Sequence, residues 1–367
     1  MTRTHALRRD ALRMLLRTAP CEALLVSDLI NVRYLTGFTG SNAALVVHTE
    51  DSVGHEDRTV FCTDGRYLSQ SAQQVPDLRR DIDRSCAAHL LALAVGADVH
   101  TVGFESHVVT VDEHRALSSV AEQATLQRAP RLVERLRMVK DDGEVALLRA
   151  ACAAADAALA ALLADGGVRA GRSELAIARE LETLMVAHGA DGPSFETIVA
   201  AGANSAVPHH RPTAAAVAAG DLVKMDFGAL LDGYHSDMTR TVVLGEPAGW
   251  QREIYELVST AQAAGRAALS PGTEVAAVDA SARQIIADAG YGEQFLHGLG
   301  HGVGLQIHEA PGIGAAGTGM LSAGAAVTVE PGVYLQGRGG VRIEDTLVVT
   351  DSTPELLTLT TKDLLVL

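Results

Sequence analysis

The sequence predicts an α/β chain of two domains, a smaller alternating strand–helix domain followed by a larger α+β domain made of two similar halves. Three observations carry this. Apolar runs of strand length alternate with helical segments through the first third. The composition then changes around Ala129-Pro130-Arg131. Beyond that point the order helix, helix, hairpin occurs twice. A length of 367 residues suits two domains.

In the first domain, residues 1–131, the segment Arg8–Arg17 reads as an amphipathic helix and Ala23–Ser27 as a buried strand. In Asn31–Val47 a Gly/Ser/Asn-rich turn leads into a strand at Ala43–Val47, and Thr59–Thr63 is the next strand. The run T-D-G-R-Y, Thr63–Tyr67, is a turn that starts a polar helix through Gln74. Val102–Phe104 is a further strand and Val111–Ser119 a helix. No nucleotide-binding glycine pattern and no catalytic cluster stands out, so this domain is expected to be structural or oligomerising.

The second domain, residues 132–367, opens on a capping box, Asp141-x-x-Glu144, which satisfies the first free amides of a helix. Helices are expected at Glu144–Leu163 and Ser173–His188, the latter stopped by Gly189. A strand at Thr197–Ala200 and a hairpin at Leu222–Leu244 complete the first half. The second half repeats the order: helices Trp250–Leu269 and Thr273–Ala289, the latter stopped by Gly290, and a hairpin at Ala326–Thr350. A site is expected where the hairpins meet.

A net charge of −15 disfavours nucleic-acid and anionic-membrane binding. The four cysteines, Cys21, Cys62, Cys86 and Cys152, include no C-x-x-C pair and read as thiols in a reducing compartment. Arg13 interrupts the N-terminal apolar run, so no signal peptide is expected. The Ala-rich run Ala150–Ala164 is broken by Asp156 and is too short to span a bilayer. A cytoplasmic protein is expected.

The chemistry gathers on the hairpins. Asp232-Gly233 is the strongest turn signal in the chain. Asp226 and Asp237 flank it and are expected to lie opposite each other on one face. Asp226 sits between Met225 and Phe227, where a lone carboxylate is costly. Two facing carboxylates repel unless a cation or a shared proton resolves them. Glu330 and Glu344, mirrored about Gly337, repeat the device. Between the hairpins, Leu296–Pro311 (L-H-G-L-G-H-G-V-G-L-Q-I-H-E-A-P) adds His297, His301 and His308 among glycines. Four carboxylates and an imidazole suit manganese, cobalt or iron better than a thiolate zinc site would. Bridging carboxylates would give two metals about 3.5–4 Å apart. Other chemistries are missing: Val303 spoils a dinucleotide fingerprint, no second histidine follows His308-Glu309 at H-E-x-x-H spacing, and there is no G-x-S-x-G elbow.

These motifs together, D-x10-D, then H-G-x-G-H-G-x-G-L-x-x-H-E, V-T-V-E-P-G-V-Y and V-R-I-E-D-T, resemble the pita-bread metallopeptidases, and most of all aminopeptidase P and proline dipeptidase. N-V-R-Y-L-T-G-F-T-G-S and T-D-G-R-Y resemble the creatinase-type N-terminal domain of those enzymes. The resemblance implies a pita-bread fold with pseudo-twofold halves and a metal set of Asp226, Asp237, His301, Glu330 and Glu344. Asp226 would chelate one metal, His301 and Glu330 the other, and Asp237 and Glu344 both. It implies two divalent ions, Mn2+ first with Co2+ or Zn2+ as alternatives, and a hydroxide between them as nucleophile. Glu330 would act as proton acceptor and donor, and His209 and His308 as substrate-facing histidines, with His210 beside His209 leaving that register open. His297 and Arg342 would line the proline side, with Tyr234 and Asp345 supporting the site.

The activity so implied is Xaa-Pro aminopeptidase action on peptides with proline at the second position, with Xaa-Pro dipeptidase (prolidase) as the alternative. A metal-free creatinase-like hydrolase, a peptide-binding module and a methionine aminopeptidase rank lower. A homodimer or higher homo-oligomer is expected.

Overall fold

A computed structural model describes residues 2–52 and 55–367. The chain divides into two compact units, Met1–Arg137 and Met138–Leu367. The helix Leu132–Arg137, which a boundary at residue 131 assigns to the second domain, falls in the first unit.

The first unit runs α1 (Thr2–Leu16), β1 (Ala23–Val26), α2 (Leu29–Thr36), β2 (Ala43–His48), β3 (Val60–Thr63), α3 (Leu68–Gln74), β4 (Arg79–Ile82), α4 (Cys86–Gly96), β5 (Thr101–Phe104), α5 (Val111–Val120), β6 (Thr125–Arg128) and α6 (Leu132–Arg137). Its six strands form one mixed sheet in the order β4-β3-β2-β1-β5-β6. The inner strands β1, β2 and β3 are apolar and wholly buried, which is why their sequence signal is strong. The edge strands β4 and β6 (R-R-D-I and T-L-Q-R) face solvent, so no apolar run announces them. The sequence also hides α2, an eight-residue helix. It is capped by Asp28, whose side chain accepts from the Ile30 amide, and closed by Gly37 at φ +80°.

The amphipathic reading of α1 needs inverting at two positions. Arg9 and Arg13 point inward, fully buried, and share the carboxylate of Glu56 at 2.7 and 2.6 Å. T-D-G-R-Y does what its composition suggests, since Asp64 accepts from the Arg66 amide and starts a single turn that runs into α3.

His48 on β2 gives this unit a pH dependence. It is 3% exposed, and burial, with Arg58 nearby, lowers its pKa to about 4. The unfolded chain takes up that proton near pH 6.5 and the folded chain does not, so stability falls as pH drops through this window. His48→Gln is expected to flatten the acid limb of a melting curve between pH 6.5 and 4. The contribution is on the order of 3 kcal/mol. An unchanged limb would discount this histidine.

The second unit runs α7 (Asp142–Ala164), α8 (Glu174–Ala187), β7 (Gly192–Pro193), β8 (Ile198–Ala201), β9 (Leu222–Phe227), β10 (Ala229–Leu231), β11 (Tyr234–His235) and β12 (Met238–Val243). The second half continues with α9 (Gly249–Ala267), α10 (Val275–Asp288), β13 (Gly300–Gly302), β14 (Glu309–Ile313), β15 (Ala326–Val329), β16 (Gly332–Leu335), β17 (Gly339–Arg342), β18 (Asp345–Val348) and β19 (Glu355–Leu356). Each half has its own core. Leu159, Leu162, Ile177 and Leu181 pack on Met225, Phe227 and Met238 in the first, and Ile254, Val258, Val278 and Ile286 pack on Val327, Val329 and Val341 in the second. The two helix–helix–hairpin halves are therefore present.

The Asp141–Glu144 capping box forms with both reciprocal hydrogen bonds, at 3.1 and 3.0 Å. Helix α7 extends well beyond the Ala-rich run and, by length and composition, could cross a membrane. Its residues Ala155, Ala158, Leu159 and Leu162 are instead buried in the first-half core, the ordinary place for an apolar helix in a packed domain.

Candidate metal centre and its cleft

The first hairpin turns at Asp232-Gly233, both at positive φ (44° and 75°), as a tight hairpin turn requires. In its register Asp226 pairs with Thr239 and Phe227 with Met238. Asp226 and Asp237 are therefore diagonal neighbours on one face, two residues off the directly opposite placement expected. In the second hairpin Val329 pairs with Asp345 and Gly332 with Arg342. That register carries Glu330 across from Glu344, as the symmetry about Gly337 predicts.

His301 reaches the same space from β13. Its neighbours Gly300 and Gly302 admit no side chain, because a Cβ would overlap the Thr328 carbonyl oxygen at the first and that of Ala310 at the second. Close approach of adjacent strands explains this part of the glycine-rich run. The His301 amide donates to Thr328 Oγ1 at 3.1 Å, and the ring Nδ1 lies 3.0 Å from the Gly302 carbonyl oxygen, which leaves Nε2 for the acidic cluster.

One ligand atom each from Asp237, His301 and Glu344 lies within 4.8 Å of the others. Glu330 Oε1 is 3.4 Å and Asp237 Oδ2 3.5 Å from His301 Nε2. Asp226 lines the same cleft but hydrogen-bonds the Arg342 guanidinium, so it stands apart from the tight cluster. The electrostatics is that of a site demanding positive charge. Burial raises Asp237 to about 6 and Glu330 to about 7. Burial also raises Glu344, and Asp237 and Glu330 add to the shift. His301 moves the other way: burial alone would lower it, but Asp237 and Glu330 bring it up to about 9.

Two oxygens decide whether these residues suit a divalent cation. Among the described residues, Asp237 Oδ1 and Glu344 Oε1 are buried with no hydrogen-bond partner. Unsatisfied carboxylate oxygens are costly, and here both belong to one oxygen-rich cluster with an imidazole. Cations that prefer oxygen and imidazole fit this set.

The cleft encloses about 740 Å³, within the usual range for small-molecule sites. His209, His297 and His308 line it. The His308 ring packs edge-on to that of His301 at 4.4 Å. Burial lowers His308, and burial with the Arg342 charge holds His297 at about 4, so both stay neutral. His209 and His210 both line the cleft; His209 is exposed, whereas His210 is half-buried with its Nε2 on Glu174 at 2.8 Å.

The structure corrects one tyrosine. Tyr234 does not reach the cleft, because it is buried with its hydroxyl on Glu144 at 3.1 Å. It lies an odd number of residues from Asp237 and so points to the opposite face. The tyrosine at the site is Tyr334, whose hydroxyl lies 2.8 Å from both His297 Nε2 and Arg342 Nη1. Arg342 is buried and spreads its donors over Tyr334, Thr239, Pro208 and Asp226. Asp345 is fully buried rather than solvated. Arg240 and Gln262 each reach it at 2.8 Å, and Arg240 also holds the Glu344 carbonyl. Thr239 donates to Glu344 Oε2 at 2.7 Å. Nothing in the sequence marks Thr239 or Arg240 as site residues beyond their nearness to the acidic positions, whereas Tyr334 closes the E-P-G-V-Y motif, which by itself assigns it no role.

The model of metallopeptidase family M24 matches residues 146–351, and that of the creatinase/prolidase N-terminal domain matches residues 8–139. The chain is 40% identical over 270 residues to the Xaa-Pro dipeptidase of Pyrococcus furiosus, covering 73% of this chain and 76% of that one. Among solved structures, an Xaa-Pro dipeptidase from Bacillus anthracis superposes with a TM-score of 0.93 at 35% identity, over 99% and 100% of the two chains. An X-Pro aminopeptidase from Thermotoga maritima superposes with a TM-score of 0.86 at 32% identity, over 96% and 99%. The acid-and-histidine centre and these matches have one conclusion: the chain belongs to metallopeptidase family M24, with a creatinase/prolidase N-terminal domain ahead of a pita-bread peptidase domain.

Proposed function

We propose that this protein is a metal-dependent Xaa-Pro dipeptidase, releasing proline from dipeptides in which it is the second residue. The observation that carries the choice is the whole-chain likeness to an Xaa-Pro dipeptidase, supported by the Pyrococcus relative. The dipeptidase alternative is thus favoured over the aminopeptidase activity first expected. Asp226, Asp237, His301, Glu330 and Glu344 would hold two divalent ions, Mn2+ being our first choice. Such ions supply Lewis acidity and lower the pKa of water towards neutrality. Glu330, beside His301 and within 3.3 Å of Thr328 Oγ1, takes the proton of the attacking water and returns it to the proline nitrogen. Neutral His308 and exposed His209 face the scissile carbonyl and donate to its developing oxyanion. His297, held by Tyr334, lines the proline side with Arg342. A net charge of −15 and four buried free cysteines support a cytoplasmic setting without nucleic-acid or anionic-membrane partners.

A manganese-supplemented panel of Xaa-Pro, Xaa-Pro-amide, Xaa-Pro-Yaa and Xaa-Ala peptides tests the reading. Turnover of Xaa-Pro at least about 10-fold above the others, about 1.4 kcal/mol of discrimination, is expected. Equal or better turnover of Xaa-Pro-Yaa would restore the aminopeptidase assignment.

A further inference from the structure

We infer that Lys224 and Glu174 are positioning residues that clamp the chain on both sides of His209 and so aim it into the cleft. The inference rests on the proposed function for its activity assay, and on geometry alone for the rest.

His209 lies in an irregular segment between β8 and β9, where no strand ladder satisfies the backbone. On one side, Lys224 is fully buried on β9. Its Nζ donates to the carbonyls of Ser205 at 3.2 Å, Val207 at 2.6 Å and Pro208 at 3.2 Å. An ammonium has three N–H donors and no acceptor, and here all three go to the stretch of chain just before His209. Arg342 adds a further bond to the Pro208 carbonyl at 3.3 Å.

On the other side, Glu174 is fully buried at the start of α8. Its Oε1 accepts from the Ala201 amide and Asn204 Nδ2, both at 2.9 Å. Its Oε2 accepts from His210 Nε2 at 2.8 Å and from the Thr213 amide and hydroxyl at 3.0 and 2.8 Å. The residues immediately before and after His209 are therefore each pinned, one by its carbonyl and the other by its ring. His209 between them is exposed and lines the cleft, beside His210. Burying an ionisable group on each side of one loop costs desolvation that an ordinary surface connection does not need, and burial with the Arg342 charge lowers the Lys224 pKa well below its usual value. A fully bonded polar network of this kind fixes one conformation.

The test uses Lys224→Met, which keeps length and removes the donors, in the wild-type and His209→Ala backgrounds, with metal-loaded full-length protein and an Xaa-Pro dipeptide. Lys224→Met alone is expected to lower kcat about 10- to 100-fold with little change in KM, as for a misplaced group. In the His209→Ala background it should cost less than about 3-fold, because residues acting through one group are not additive. Equal losses in both backgrounds would overturn the inference. Should Lys224→Met fail to fold, Glu174→Gln takes its place in the same cycle. Histidine-labelled NMR supplies a readout free of activity. The His209 ring signal should shift or broaden in the clamp variant while that of His48 does not, and an unmoved His209 signal would overturn the inference even if the wild type cleaves none of the peptides.

Discussion

Glu330→Gln is expected to lower kcat by at least about 10³-fold while the protein still folds to the wild-type structure. General acid–base catalysis contributes about 10²–10⁴-fold, and the same carboxylate belongs to the proposed metal set. The substitution keeps the side chain's shape at the end of β15. There the Glu330 backbone amide donates to the Leu299 carbonyl at 2.7 Å, and the preceding Val329 pairs with Asp345. Both are main-chain contacts, which the side-chain change leaves in place. Glutamine cannot accept the proton that the attacking water must lose. Steady-state kinetics beside circular dichroism and a melting curve checks this. Activity above about a tenth of wild type, less than about 1.4 kcal/mol of barrier, would remove Glu330 from its assigned role.

How much of the molecule is legible in its sequence depends on where each signal lies. At β1 to β3 and at the Asp141–Glu144 box, a buried apolar run or a capping box lets residue types alone locate the element, whereas the short capped helix α2 and the apolar helix α4 escape. Edge strands β4 and β6 escape because solvent, not a core, surrounds them, and a period-2 apolar pattern has nothing to report there. In the candidate site, the acid positions stand out because charge is costly in apolar strands, and His301 because it sits among glycines. The residues that orient them do not. Thr239, Arg240 and Tyr334 are ordinary strand residues until the fold brings Glu344, Asp345 and His297 against them. Lys224 and Glu174 read as surface charges on any pattern, yet both are fully buried. Mirroring about a turn places Glu330 and Glu344 correctly and slips by two residues for Asp226 and Asp237. A turn residue marks where a hairpin bends and not which residues pair.

Asp237→Asn is expected to move stability in opposite directions with and without metal. In chelator-treated protein, Asp237 faces Glu344 within 4.8 Å, and two like charges at that range repel by about 3–4 kcal/mol at an effective dielectric near 20. The unpartnered oxygens of both residues add a desolvation cost. His301 attracts Asp237 at 3.5 Å, which offsets part of the repulsion, but the upward shift of the Asp237 pKa means that its charge is disfavoured on balance. Asparagine removes the charge and keeps the shape. The chelated variant should therefore melt higher than the chelated wild type, by a few degrees for a gain of about 1–2 kcal/mol in a unit of this size. Added Mn2+ reverses the order. Binding at about 100 times Kd would stabilise the wild type by about 2.7 kcal/mol, while the variant, lacking one carboxylate of the proposed metal set, would gain little and lose turnover. Melting curves of both proteins, each with chelator and with Mn2+, measure the crossing directly. If the variant melts lower than wild type in chelator yet keeps the full Mn2+ shift, Asp237 is a structural acid and the cation lies elsewhere.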